Sequence, residues 1–441
     1  MSGKIKKSKE NNESVFEKQR KRDTNAFLIE TADTLIEQIR AVTFNGVTYV
    51  YDEENETYIT GDEDIIKIVN KYFKLTSKQY RELLYQLNLS APMAENSICF
   101  RLKNGTLIKN TDGLYEFTKD KSMFAPFTLN VEYNDNANDE MVNKFLNDIS
   151  SNNDEKKNSL IELIGSIFLV ENTPCKIFYL YGPSGANGKS TFTSMLRNFF
   201  GQNLSSNIDI GGLQDDTNLS HLVGKLINIS DDADFSILKY DKTSRMKSIA
   251  SNETITFRPI YSYPITAKFF CTLIVSCNNL PLFDDKSGGL SRRLVILEFS
   301  MKLDKGERIP NMVELLSTEN AKSTILNYAI QGMNQIIKNN YELTESEIVN
   351  KTMNDYYLET DNVRSFLKDT NIENQLVSEV YKQYERYCKD DISQEAVKKN
   401  LFGSRLKMYG YISKVITTSQ KGKKTSKRIY VKDKSKNYVS L

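Results

Sequence analysis

Between Lys176 and Thr191 the chain reads Lys-Ile-Phe-Tyr-Leu-Tyr-Gly-Pro-Ser-Gly-Ala-Asn-Gly-Lys-Ser-Thr. An apolar run meets a glycine-containing turn, and Gly188, Lys189, Ser190 and Thr191 open a helix. This order suits a nucleoside triphosphate. Gly182, Gly185 and Gly188, with Ala186 and Asn187 in the same loop, free backbone N–H groups to wrap a phosphate at a helix N-terminus. The Lys189 ammonium would reach the β/γ oxygens and the Ser190 hydroxyl would ligate Mg²⁺. The strict spacing wants glycine at Pro183, and here Gly182 sits one residue early. The plainer alternative is a chance Gly-Lys-Ser at a helix start. Strand, loop and helix in the right order favour the phosphate loop.

Three further strand ends carry polar residues of matching chemistry. The run Lys225–Ser230 ends in Asp231-Asp232; one carboxylate can hold Mg²⁺ and its neighbour can orient an attacking water. An Asp-Asp pair in an ordinary turn is the competing meaning. The run Cys271–Ser276 leads into Cys277-Asn278-Asn279, where an amide can touch a γ-phosphate; an Asn-rich turn is the bland alternative. The run Leu294–Phe299 is preceded by Arg292-Arg293. An arginine there could serve a neighbouring subunit's phosphate, or simply be solvated.

These residues need a scaffold, and the periodicities supply one. Short continuous apolar runs at 177–181, 225–230, 271–276 and 294–299 suit strands buried on both faces, the central sheet of an ATPase domain. Upstream, 25–40 reads as a helix, with strands about the Asn45-Gly46 turn, helices at 63–74 and 77–88, and a hairpin region at 99–117. Helices follow at 138–150 and 154–170. Beyond 306 the pattern is helical (310–338, 344–369). It ends in helices at 376–389 and 393–409 and a hairpin of 411–418 and 427–431, joined by the basic loop 420–426. The expected division is a basic tail (1–24), an N-terminal α+β domain (25–150), an ATPase domain (151–345), and a helical linker with a winged helix (346–441).

The chain has 441 residues, with 59 basic and 57 acidic side chains, so its net charge is only +2. The charge is uneven. From Glu395 onward thirteen lysines and arginines face two carboxylates, a surplus of eleven that points to a polyanionic partner. Lys421, Lys423, Lys424 and Lys427 would line phosphates while the second helix of the winged module enters a major groove. A lysine-rich tail serving solubility is the competing reading. One histidine and five scattered cysteines argue against histidine-based metal sites, a zinc ribbon and disulfides. No run approaches bilayer length and no apolar leader is seen, which points to a cytoplasmic protein without membrane partners.

Taken in order, Gly185–Phe192, Gly224–Asp232, Lys247 in a helix before Ile255-Thr256-Phe257-Arg258, Cys277–Pro281 and Ser291–Leu294 resemble the superfamily 3 helicases. Within that superfamily the resemblance is specifically to the poxvirus-type and phage/plasmid/mobile-island primase-helicase group. It is strong over 140–300. It implies an α/β AAA+ core using ATP and Mg²⁺, assembled as a homo-hexamer and moving 3′ to 5′ on single-stranded DNA. It implies roles for Lys189 and Ser190 at phosphate and metal, Asp231 as metal carboxylate and Asp232 as water-orienting base. It further implies Asn278 as phosphate sensor and Arg292, or else Arg293, as trans-acting finger. A DNA-tracking hairpin would span 257–268, with Lys247, Arg258 and Lys268 as DNA contacts and Tyr261 and Tyr263 as stacking surfaces; hairpin tyrosines more often pack. No primase signature precedes the helicase region, so a separate primase is an expected partner. The expectation is a replicative helicase and initiator of a mobile element in a bacterial host cytoplasm. A protein-remodelling loader ATPase and a non-catalytic origin-binding protein are the alternatives.

Overall fold

Alternation along one strand decides where the two main cores lie. In the strand Ile177–Tyr181, Phe178 and Leu180 enter one apolar cluster while Ile177 and Tyr179 enter another on the opposite face. The strand is therefore apolar at every position, as burial on both faces requires. The computed structural model describes residues 24–94, 98–121, 123–183, 187–231, 243–260, 264–280, 289–301, 309–392, 394–420 and 423–433. It is a mixed α/β protein with several sheets and, among the described residues, fourteen α-helices.

The N-terminal part holds β1 (Val42–Phe44), β2 (Val47–Asp52) and β3 (Thr57–Thr60) in an antiparallel sheet. Helices Thr24–Gln38, Asp62–Val69 and Ser77–Ser90 cover it, around a core of residues 28–91 that includes Leu35, Val50, Leu83 and Leu87. A second sheet comprises β4 (Phe100–Leu102), β5 (Gly105–Lys109), β6 (Tyr115–Thr118) and β7 (Phe127–Thr128), in the order β6-β5-β4-β7. Its Phe100 and Phe127 share the larger core with Phe168, Phe178 and Phe199.

The central sheet contains β8 (Ile177–Tyr181), β9 (Ser205–Ser206), β10 (Ile227–Ser230), β13 (Thr272–Cys277) and β14 (Leu294–Glu298). Its order is β14-β8-β13-β10-β9 and every pairing is parallel. Four of these strands match the apolar runs. The fifth, β9, is two serines and carries no apolar signal. Between β10 and β13 an antiparallel pair, β11 (Thr254–Phe257) and β12 (Ile265–Lys268), stands off the sheet. The expected hairpin at 257–268 is thus a ladder that begins at Thr254.

Helix Asp154–Ser166 lies against helix Glu319–Lys338 at glycine contacts. A Cβ on Gly165 would come within 2.3 Å of the Met333 backbone nitrogen, and one on Gly332 within 2.4 Å of the Ile161 carbonyl. Only glycine permits so close a crossing. The same helix steers the chain onward: Glu162, 1% exposed, accepts from Thr344 N–H at 3.0 Å and the Thr344 hydroxyl at 2.5 Å. Glu155 accepts from the Ser346 hydroxyl and the Glu347 N–H.

The expected helix at 344–369 is broken. Helix Glu347–Thr360 stops at Asp361, which caps helix Asn362–Asp369 by accepting from Val363 and Arg364 N–H groups. Asp361 also accepts from Arg405 at 3.0 Å and the Tyr409 hydroxyl at 2.6 Å. Helices Val377–Arg386 and Lys399–Met408 follow, then β15 (Tyr411–Gln420) and β16 (Lys423–Lys432). The second helix starts six residues later than its pattern suggests. The expected basic loop 420–426 is mostly ladder, with Gln420 opposite Lys423. Leu376 bridges Ile429, which ties the residue before helix Val377–Arg386 to the hairpin. Among the described residues no helix is long and apolar enough to cross a membrane.

Glu162 yields a pH prediction. Burial raises its pKa, and the Thr344 hydrogen bonds only partly offset this. An acid whose folded pKa is raised loses its proton first in the unfolded chain, so the fold is penalised as pH rises from the unfolded value upward. Glu162→Gln removes that penalty while keeping an acceptor for Thr344 N–H. Its melting temperature relative to the unaltered protein is expected to rise from pH 4 to pH 8 in thermal denaturation. An offset that is constant with pH contradicts the assignment.

Candidate nucleotide site and hairpin

Because the central strands are parallel, their carboxyl ends finish on one edge, where open α/β sheets bind ligands. Cys277 pairs with Tyr181 across β13 and β8, so Gly182 and Asn278 emerge side by side. Lys189 begins helix Lys189–Leu204, whose N-cap is Gly188 at φ 88°. The Lys189 side chain is folded back into this edge, 6% exposed. Its Nζ donates to the Gly182 carbonyl at 2.7 Å, Asn278 Oδ1 at 3.1 Å and Asn187 Oδ1 at 3.2 Å. These three oxygens are neutral dipoles; they aim the ammonium without cancelling its charge. Beside it, burial pushes the Cys277 thiol up to about 12 although Lys189 pulls the other way.

Two glycines are required here for separate reasons. A Cβ on Gly182 would lie 2.1 Å from the Asn187 amide nitrogen and 2.8 Å from the Phe299 carbonyl. Gly188 has left-handed backbone, and a Cβ there would strike Ile149 at 2.6 Å. Asn187 is buried, Thr191 half-buried, and Ser190 exposed in the first turn of the helix. Gly185 and Ala186 lie outside the described residues. The edge thus brings together a buried ammonium, an exposed seryl hydroxyl and a helix that a left-handed glycine opens and that kinks only at Gly201, a set that fits a phosphate chain with a divalent cation.

Asp231 follows β10 on the same edge and is half-exposed. Arg197, two turns along the helix from Lys189, donates to Asp231 Oδ2 at 2.5 Å and to the Ile229 carbonyl at 3.2 Å. The sequence reading missed Arg197. Its only signal was a cation on the helix that follows the loop, which surface arginines share. Asp232 lies outside the described residues.

The arginine pair sits elsewhere. Leu294 is in register with Ile177, so Arg292 and Arg293 precede β14 at the amino-terminal edge of the sheet. The five residues of β8 separate that edge from Gly182, a rise of roughly 17 Å. Arg293 is buried and bonded within its own chain, to the Ser251 hydroxyl at 2.7 and 3.0 Å and the Gly289 carbonyl at 2.5 Å. Arg292 is exposed, and its carbonyl accepts from Lys176 Nζ at 2.9 Å.

On the β11–β12 hairpin, Arg258 and Lys268 are exposed, while Lys247 is half-buried on helix Ser244–Ala250. Asp216 accepts from the Arg258 N–H at 3.1 Å and from Arg245 at 2.6 Å. These bonds, the Arg258 N–H first, hold the Asp216 carboxyl below its usual range. Tyr261 and Tyr263 lie outside the described residues, as does Lys421. Lys423 and Lys424 fall in β16, their side chains also outside the description; Lys427 is exposed on that strand. The loop and strand tips gather at the carboxyl edge, whereas the hairpin springs from the other edge, where Ser251 meets Arg293 and Lys268 leads into the start of β13; Lys427 is exposed on β16, a strand whose Tyr430 joins the separate C-terminal core.

A family described only as one of unknown function matches residues 180–293, the span from the end of β8 to the arginine pair. No curated protein matches the sequence. Among solved structures, the apo NrS-1 C-terminal region (305–718) matches over 93% of this chain and 100% of that one, at 16% identity and TM-score 0.49. The A form apo structure of the NrS-1 C-terminal region matches over 91% and 98%, at 16% identity and TM-score 0.46. Likenesses at this level assign no activity to the chain.

Gly182 offers a direct test of the edge geometry. In Gly182→Ala the new methyl would crowd both the Asn187 amide and the Lys189 ammonium, so binding of a fluorescent ATP analogue is expected to weaken tenfold or more. Titration of that analogue against the unaltered protein checks it. Unchanged affinity would show that Gly182 and Lys189 do not shape a nucleotide site.

Proposed function

We propose that the protein is an ATP-dependent DNA helicase and initiator of the superfamily 3 type, with an AAA+ core working in a ring. The observation that carries this reading is the Lys189 ammonium held between Gly182, Asn187 and Asn278 at the carboxyl edge of a parallel sheet. Bound Mg·ATP would supply a transferable γ-phosphoryl group. Lys189 would exchange its neutral acceptors for phosphate oxygens, and Ser190 and Asp231 would hold the metal. Asp232 would orient the water, and Asn278, already bonded to the lysine, would report on the phosphate. Arg292 is assigned as the finger in preference to Arg293. It is exposed, whereas Arg293 is committed to Ser251 and Gly289. An arginine one strand length from its own lysine could act as a finger only on a neighbouring subunit, so this reading includes a ring, a homo-hexamer in the related group.

The hairpin with Arg258 and Lys268 is the proposed single-strand contact, supported by the exposure of both side chains. The C-terminal unit is proposed as a winged helix for duplex DNA. Its support is three helices, the Leu376 bridge and a ten-residue ladder bearing exposed Lys427 and Arg428. Helix Lys399–Met408 exposes Lys399, Asn400, Ser404 and Lys407, and at Gly403 a Cβ would meet nothing within 4 Å. Glycine inside an exposed helix costs about 0.5–1 kcal/mol relative to alanine. Among the described residues no packing explains it.

Two experiments test this assignment. Lys189→Ala is expected to abolish ATP hydrolysis, and Arg292→Ala to bind ATP normally while losing roughly 10³-fold in turnover. Mixing the two variants should restore part of the activity at interfaces that join an intact site to an intact arginine. Full ATPase in a strictly monomeric protein would refute the shared site. Unwinding assays on 3′- and 5′-tailed forks then separate a helicase from a protein-remodelling ATPase.

For the C-terminal unit, Gly403→Ala should raise stability, whereas Gly403→Glu should lower duplex affinity roughly tenfold at 0.1 M salt by placing an anion against phosphates. ATPase should be unchanged in both. Equal duplex binding by Gly403→Glu, measured by fluorescence anisotropy, removes this helix from the interface.

A further inference from the structure

The two limbs of the β11–β12 hairpin are held by different parts of the chain. The incoming limb is tied to the central domain through Asp216, which accepts from the Arg258 N–H. The outgoing limb is tied to the N-terminal unit, 223 residues away in sequence. There Asn45 and Gly46 form the two-residue turn between β1 and β2, both with positive φ (53° and 74°). The Asn45 carboxamide lies alongside Lys268: its Nδ2 donates to the Lys268 carbonyl at 2.7 Å and its Oδ1 accepts from the Lys268 N–H at 2.9 Å. Lys268 stands opposite Thr254 in the ladder, and these are the backbone groups that it turns away from β11. One side chain thus satisfies an outward donor and acceptor as another strand would.

The contact extends beyond Asn45. A Cβ on Gly46 would come within 2.6 Å of the Thr266 carbonyl, so the turn backbone rests directly on β12. Just past β12, Phe270 stacks on Phe44 with ring centroids 5.8 Å apart, and Phe127 meets it edge-on at 6.0 Å. The Asn45-Gly46 pair therefore does more than reverse β1 into β2, a task that Gly-Gly would perform as well.

We propose that Asn45 is a positioning residue for the hairpin: through its paired bonds to Lys268 the β1–β2 turn and the outgoing limb move as one body. The N-terminal unit then sets the orientation in which Arg258 and Lys268 meet a nucleic-acid strand. This inference rests on the reading of the hairpin as the single-strand contact. It assigns to the N-terminal unit a part in coupling ATP turnover to movement on that strand.

The test uses the full chain with Asn45→Gly, which retains the positive-φ turn and deletes only the carboxamide, and Asn45→Asp, which keeps an acceptor for the Lys268 N–H but loses the donor. Amide exchange resolved to single residues should show Lys268 exchanging at least tenfold faster in Asn45→Gly and near its original rate in Asn45→Asp. ATPase without DNA and the melting temperature should be unchanged in both. ATP consumed per base pair unwound should rise at least threefold in Asn45→Gly and less in Asn45→Asp, a graded change in coupling that a merely structural role would not produce. Unchanged Lys268 exchange in Asn45→Gly overturns the proposal, as does faster exchange with unchanged coupling. Failure of the underlying reading is distinguishable: it appears as no ATP-driven unwinding in the unaltered protein. Failure of the inference alone appears as an active protein indifferent to Asn45.

Discussion

A buried ammonium needs oxygens around it, and the placement of Lys189 depends on where the chain can supply them. Three come from different segments: the carbonyl of Gly182, the amide of Asn187 and the amide of Asn278. They converge because β8 and β13 are adjacent and parallel, so their ends arrive at one edge in register. The lack of a side chain at position 182 lets Asn187 and Lys189 approach it, and left-handed backbone at Gly188 opens the helix. The surrounding core serves this convergence. Ile149 lies against Gly188 and the Phe299 carbonyl against Gly182, so helix Glu140–Ile149 and the residue after β14 flank these two glycines.

Parallel geometry also separates charges. Everything at the carboxyl ends of the strands faces one edge, and Arg292 and Arg293 at the start of β14 face the other. Two adjacent arginines consequently have different fates. Arg293 turns into the protein and is consumed by Ser251 and Gly289, while Arg292 turns outward. Asp231 shows the complementary case. Its carboxylate is exposed enough to serve a ligand, yet Arg197 already holds one oxygen.

The units around the sheet are joined by polar side chains that satisfy backbone groups at chain reversals. Glu162 and Glu155 receive the start of helix Glu347–Thr360, Asp361 caps the next helix while bonding Arg405 and Tyr409, and Asn45 pairs with the edge of β12. Each such bond leaves a backbone donor or acceptor with a partner it would otherwise need from water. They add direction to apolar contacts that also cross between elements, such as Phe44 on Phe270 and Phe100 and Phe127 in the core beneath the central sheet.

Much of this was legible in the residues themselves. Continuous apolar runs located four central strands, because burial on both faces demands an apolar side chain at every position. Asn45-Gly46 marked a turn because few residues accept positive φ, and Gly188-Lys189-Ser190 marked a helix opening for the same kind of reason. What the sequence could not contain was adjacency. The two-serine strand β9, the break at Asp361, the extension of the β15–β16 ladder into its basic segment and the burial of Arg293 are decided by partners distant in sequence. The same holds for Arg197 on Asp231 and Asn45 on Lys268, bonds between residues 34 and 223 positions apart. Local patterning reports how a residue relates to its own element's faces. Only the packed chain decides which edge meets which, because hydrogen-bond partners across elements are selected by sheet order and register.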